Sequence, residues 1–189
     1  MTGKTHQVIG LTAGLASYLY RVPAHYAPAT LAAVLVTSHL LALLPDIDSQ
    51  AGLIWKSLPF GGMARHVVNP FLQHRNLTHS LLGLGIVWYG LNLSLAHVPT
   101  YWSINAPAVL IAGLVAYVSH LIADMVTVEG IPLIFPFGHM YGFPPHPLQG
   151  IRIVTGGWFE NLLIFPLVNL VLIALLYTQW SNLHHILFR

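Results

Sequence analysis

The chain has 189 residues, of which 56% are hydrophobic and 6% charged, with seven Lys/Arg against five Asp/Glu and a mean hydropathy of +0.70. An ordinary soluble domain is about 25% charged, so this is not a cytosolic globule or a disordered chain, and a net charge of +2 is too small for a phosphate-tracking nucleic-acid face. The absence of cysteine excludes a disulfide framework, a thiol nucleophile and Cys-ligated zinc, and twelve histidines outnumber the carboxylates, so any metal site must be His/Asp in character.

The length fits one domain, residues 1–189. A spanning helix needs roughly 20 mostly apolar residues, and five segments approach that. The first covers residues 5–20 and is short. It has some features of a signal peptide, with small residues from Ala13 to Ser17, but Lys4 alone precedes its apolar core; read as a retained span it keeps His6. The second covers 27–44. The third covers 78–97, with Thr78 as the expected N-cap. The fourth, 106–126, carries His120 and Asp124 near its end, and the fifth, 161–180, is the most lipid-like, with Pro166 as a possible kink. The expected architecture is an all-α polytopic membrane bundle.

Five spans put the chain ends on opposite sides of the membrane. Lys4, Lys56, Arg65, Arg75 and Arg152 then share one side, and Arg21 and Arg189 the other. The positive-inside bias places the first set on the cytoplasmic side. Two long loops share that side: 45–77, with an interfacial piece at 53–60, and 127–160, whose prolines and aromatics imply an ordered cover.

All three aspartates lie at ends of apolar segments: Asp46 and Asp48 in LLPDIDS, and Asp124 in SHLIADMV. Carboxylates at membrane depth are costly and usually face the interior, paired or functional. His120 and Asp124, four residues apart, share a helix face. Starts of odd spans and ends of even spans fall on one side. His6, Asp46, Asp48, His74, His79, His120 and Asp124 all occupy such positions, so seven candidate ligands from four helices converge at one face of the bundle. His25, His39, His97, His184 and His185 read instead as interfacial or hydrogen-bonded residues.

This donor set suits Zn²⁺, with Mn²⁺ or Fe²⁺ as alternatives. A tetrahedral catalytic ion takes three protein ligands, so six or seven fit two ions about 3.5–4 Å apart around a bridging carboxylate. Such a pair implies hydrolysis, above all of a phosphoester, with Asp48, Arg75, His79 and Asp124 as the catalytic set and Arg75, joined by Arg152, as the phosphate clamp. No G-x-S-x-G or H-E-x-x-H motif is present.

Four stretches carry a family resemblance: Thr5-His6, LLPDIDS at 43–49, HRNLTHSLL at 74–82 and YVSHLIADMVTVEGIPLIFPF at 117–137. Their order and spacing resemble the YdjM-like family of bacterial membrane proteins, regarded as metal-dependent hydrolases. That family is distantly similar to zinc-dependent phospholipases C and single-strand nucleases. The resemblance implies metal ligation by His6, by Asp46 or Asp48, by His74 or His79, and by His120 with Asp124, the last as the bridging carboxylate. It departs at the N-terminal amine, which ligates metal in the soluble enzymes but precedes His6 by several residues here and is not expected to serve as a ligand. It departs again in the group that holds a third zinc, for which only His139 and His146 are at hand, with Glu129 and Glu160 as remote options, so two ions are expected.

The reading is a membrane-embedded di-metal phosphoesterase acting on a lipid or lipid-linked substrate, with no nucleic-acid partner. The loop at 131–147 would cover the site, and His139 or His146 would protonate the leaving group. Two rivals use the same residues: a divalent-cation or proton-coupled transporter, disfavoured because no charged residue or histidine lies between Asn161 and Trp180, and a scaffold in which a closed metal site ties helix ends together.

Overall fold

The computed structural model describes residues 1–21, 27–48 and 77–188, the side chain of Asp48 excepted. His25, His74, Arg75, Lys56, Arg65, Arg189 and the expected interfacial piece at 53–60 lie outside the described residues. Six α-helices occur among those described: α1 (Gly3–Leu19), α2 (Pro28–Leu43), α3 (Leu81–Ala96), α4 (Ala106–Met125), α5 (Phe165–Thr178) and α6 (Trp180–Phe188). No strand is present among them, and the β-type pairing consists of two isolated bridges, Thr127 with Ile153 and Ile131 with Tyr141.

Among the described residues, three stretches are long and apolar enough to cross a membrane: Pro28–Ile47, Ala106–Met125 and Glu160–Thr178, of 20, 20 and 19 residues. At 1.5 Å per residue each reaches about 30 Å, the thickness of a bilayer core. α1 and α3, of 17 and 16 residues, are about a turn shorter. Prolines open α2 and α4, where the missing N–H has no intrahelical partner to lose. Ahead of Pro166, residues Glu160–Ile164 form a turn of π-helix, so the disturbance expected at this proline is taken up as a widened turn. The N-cap of α3 is Ser80, whose hydroxyl accepts from Gly83 N at 3.1 Å; Thr78 belongs to a preceding 3₁₀ turn, Leu77–His79, and does not cap the helix as expected.

The centre of the bundle is α1, α2 and α4, packed pairwise, with α3 against α4 and α5 against α1. Small residues four apart make the close approach possible. A Cβ on Gly10 would sit 2.3 Å from Ala42 Cβ and 3.4 Å from Ala116 O, and one on Gly14 would sit 2.1 Å from Ser38 Oγ and 3.0 Å from Ala112 O. Gly10 and Gly14, Ser38 and Ala42, and Ala112 and Ala116 are thus three small-residue stripes in mutual contact, the packing that lets helix backbones meet inside a membrane. Away from the stripes, Leu15, Tyr18, Val34 and Val109 form an apolar core at one end. At the other, Leu41, Tyr117 and Leu121 pack with Ile131 of the 127–160 segment.

Candidate metal centre

The stripes lead directly into the site. Four residues before Gly10 on α1 is His6; four beyond Ala42, in the 3₁₀ turn Leu44–Asp48, is Asp46; four and eight beyond Ala116 on α4 are His120 and Asp124. Backbones held in close contact one turn earlier therefore deliver these side chains to one point. The fourth contributor, His79, ends the 3₁₀ turn before α3. That turn is pinned by Tyr117, whose hydroxyl donates to Thr78 O, and by Ser80 Oγ, which donates to Leu77 O at 2.7 Å.

Asp46, His79, His120 and Asp124 each offer one ligand atom, and those atoms all lie within 4.8 Å of one another. His79 Nε2 is 3.9 Å from Asp46 Oδ1 and 3.5 Å from Asp124 Oδ2; His120 Nε2 is 3.8 Å from both carboxylates. The three residues His79, His120 and Asp124 are buried, while Asp46 keeps a small exposed edge. The ring of His120 is set by its far nitrogen, with Nδ1 2.7 Å from Ala42 O. If Nδ1 donates to that carbonyl, Nε2 is left with its lone pair toward the cluster, and Nε2 has no hydrogen-bond partner although it is fully buried. An orphaned imidazole nitrogen aimed at two carboxylates is costly unless something cationic completes it.

His6 joins from the opposite side of Asp124. Its Nε2 is 2.9 Å from Asp124 Oδ1, and its ring stacks on His120 with centroids 3.6 Å apart. The amino group of Met1 also lies against Asp124 Oδ1. Thr2, extended at the N-cap of α1, lets the chain turn back far enough for this. The sequence reading left that amine out of the ligand set; the structure pairs it with Asp124. Asp124 thus has one oxygen toward His79 and His120 and the other toward His6 and Met1.

Other expected participants lie elsewhere. Arg152 donates from Nε to Pro144 O at 2.8 Å and from Nη2 to Gly142 O at 2.9 Å, so its guanidinium staples its own loop. His139 and His146 are exposed on that loop and take no part in the cluster. His74 and Arg75 lie outside the described residues, as does the side chain of Asp48. His97, expected as an interfacial or hydrogen-bonded residue, has Nδ1 2.8 Å from Leu93 O.

One residue has more importance than its sequence position implied. Glu160, buried, accepts through Oε1 from Thr2 N at 2.7 Å, Thr2 Oγ1 at 2.8 Å and Thr5 Oγ1 at 2.6 Å, and through Oε2 from Gly156 N at 2.8 Å. A carboxylate from the start of α5's segment therefore satisfies the beginning of α1, where N–H groups lack helical partners and the helix dipole is positive. Thr5, which it grips, is the neighbour of His6. A lone acidic residue opening the most lipid-like segment was the available signal.

A profile of the YdjM inner membrane protein family matches residues 1–187. The chain is 31% identical to the uncharacterised protein YvsG of Bacillus subtilis (strain 168) over 164 residues, 87% of this chain and 88% of that one. It is 35% identical over 106 residues to the inner membrane protein YdjM of Escherichia coli (strain K12), and equally to that of Shigella flexneri, matching 56% of this chain and about half the length of those relatives. No solved structure matches. With a family match over nearly its whole length and helices that can cross a bilayer, the chain is a membrane protein and belongs to the YdjM inner membrane protein family.

Proposed function

We propose that the chain is a membrane-embedded, metal-dependent phosphoester hydrolase whose substrate is a lipid or lipid-linked molecule. The observation that carries this reading is the buried, orphaned Nε2 of His120, oriented from behind by Ala42 O and facing His79, Asp46 and Asp124. These four residues would hold one divalent cation. A second cation sharing Asp124 with His6 is the expectation from the sequence, and it would displace the Met1 amine that lies against the same oxygen. Asp48 and His74 are the further ligands expected from the sequence, and Arg75 is the proposed phosphate clamp. Zn²⁺ is the proposed ion, with Mn²⁺ or Fe²⁺ as alternatives. When bound, the metal supplies Lewis acidity toward a phosphoryl oxygen and lowers the pKa of water toward neutrality. The protein's own part is to fix the imidazoles through Ala42 O and ring stacking, and to keep the site dry on its apolar sides. The proposed side is cytoplasmic, on the distribution of Lys and Arg.

A transport reading needs a polar path through the bundle. Below the cluster the interior is closed by the Gly10–Ala42 and Gly14–Ser38 contacts and then by Leu15, Val34 and Val109, which favours hydrolysis at one face.

The test is metal analysis of the detergent-purified full chain beside His120→Ala and Asp124→Ala. The expected stoichiometry is near two for the wild type and falls by at least one ion in both variants. Chelator-sensitive release of product from a panel of lipid phosphoesters is expected in the wild type alone. Wild-type protein that binds no metal after reconstitution refutes the proposal. Metal retained with no hydrolysis across the panel leaves a structural metal site and removes the enzymatic half.

A further inference from the structure

The segment 127–159 joins the end of one candidate span, Ala106–Met125, to the start of another, Glu160–Thr178. Both of its ends are therefore tied to the same membrane boundary. It is also held in place. Ile131 pairs with Tyr141 and Thr127 with Ile153, Phe143 N donates to Met125 O at 2.8 Å, and Leu81 N donates to Leu133 O at 3.0 Å. The segment begins beside Asp124 of the His/Asp cluster and ends beside Glu160, which holds the start of α1. Thr127 Oγ1 donates to Asp124 O, and Gly156 N to Glu160.

Loops between helices in contact with water carry polar side chains outward. This one does the reverse. Phe137, Ile151 and Trp158 are 75%, 73% and 70% exposed, and Phe143 and Val154 are more than half exposed. Its charged residues are Glu129 and Arg152 alone, and Arg152 is occupied with loop carbonyls. Apolar side chains on a fixed backbone cannot collapse inward, so an apolar environment must come to them. Exposed apolar residues continue past Trp158 and Phe159 to Leu162, Leu163 and Leu167 of the span that follows, a surface that faces acyl chains in any bilayer. Trp158 stands at the junction, at the depth where tryptophan prefers to sit.

We propose that the segment 127–159 lies within the bilayer interface, with Phe137, Ile151 and Trp158 inserted between lipid headgroups. It forms a lipid-immersed rim beside the His/Asp cluster. The occupant of this apolar surface is the lipid monolayer, and the inference holds whether or not the cluster is catalytic.

The chain has no cysteine, so single nitroxide labels can be placed at Phe137→Cys, Ile151→Cys and Trp158→Cys in the full chain, reconstituted into phosphatidylethanolamine/phosphatidylglycerol vesicles. Leu170→Cys, exposed in the span, is the lipid reference, and free label in buffer is the water reference. The ratio of collisions with oxygen to collisions with a water-soluble nickel chelate is expected to rise clearly above the buffer value at all three sites while staying below that of Leu170→Cys, which lies about 15 Å deeper along its helix. A ratio at the buffer value places the segment in water and overturns the proposal. Low collision rates with both reagents also overturn it, because they mean cover by protein, from a second copy or from another part of this chain. Circular dichroism screens each labelled variant for folding. Independently of labels, brominated lipids are expected to quench wild-type tryptophan fluorescence more than that of Trp158→Phe, and equal quenching of the two counts against the proposal.

Discussion

Replacing Gly10 with Ala tests whether helix packing sets the metal site. The added Cβ would lie 2.3 Å from Ala42 Cβ, whereas carbon atoms rest at about 3.5–4.0 Å. Both atoms are attached directly to backbone, so no side-chain rotation relieves the clash, and α1 and α2 must part by more than about 1 Å. Overpacking of this kind costs roughly 1–3 kcal/mol. The larger consequence is one turn away. His6 follows α1, and Ala42 O, which orients His120, follows α2. Metal–ligand distances tolerate only about 0.2 Å, so a displacement several times larger is expected to weaken metal binding at least 10-fold. Gly90→Ala is the control, since a Cβ there meets nothing within 4 Å. The assays are the thermal midpoint in detergent and metal affinity by competition with a chromogenic chelator. Gly10→Ala is expected to lower both, and Gly90→Ala neither. If Gly10→Ala retains wild-type metal affinity and midpoint, the argument that the small-residue stripes position the ligands is wrong.

Substitutions at two further positions address the supports of the site. Glu160→Ala leaves Thr2 and Thr5 donors without their acceptor, a loss on the order of 3 kcal/mol for hydrogen bonds to a charged group. Its thermal midpoint should fall well below that of Glu160→Gln, which retains an acceptor; equal midpoints would show that the carboxylate does not clamp the start of α1. Tyr117→Phe removes the bond to Thr78 O and should cost about 1 kcal/mol. Because that bond anchors the turn carrying His79, metal affinity should fall with it, and a stability loss with unchanged affinity would detach Tyr117 from the site.

The sequence by itself determined that the chain is a helical membrane protein, because so few charges cannot cover a water-facing surface. It also determined which residues share a membrane face, because hydropathy marks where each span starts and stops, and alternation assigns the ends to sides. His6, His120 and Asp124 were legible on that ground, with Asp46 and His79 as one member each of the pairs Asp46/Asp48 and His74/His79, and the i, i+4 spacing put His120 and Asp124 on one helix face. Hydropathy reports depth but not rotation about the helix axis. Only the tertiary contacts of Gly10 with Ala42 and of Gly14 with Ser38 turned these side chains toward one another. The cap at Ser80 rather than Thr78 was decided by how the turn carrying His79 docks on Tyr117. The clamp by Glu160 and the approach of the Met1 amine to Asp124 depended on α5's segment and the start of α1 being neighbours. Residues 158 positions apart meet only when the helices between them have packed, and no local pattern encodes that distance.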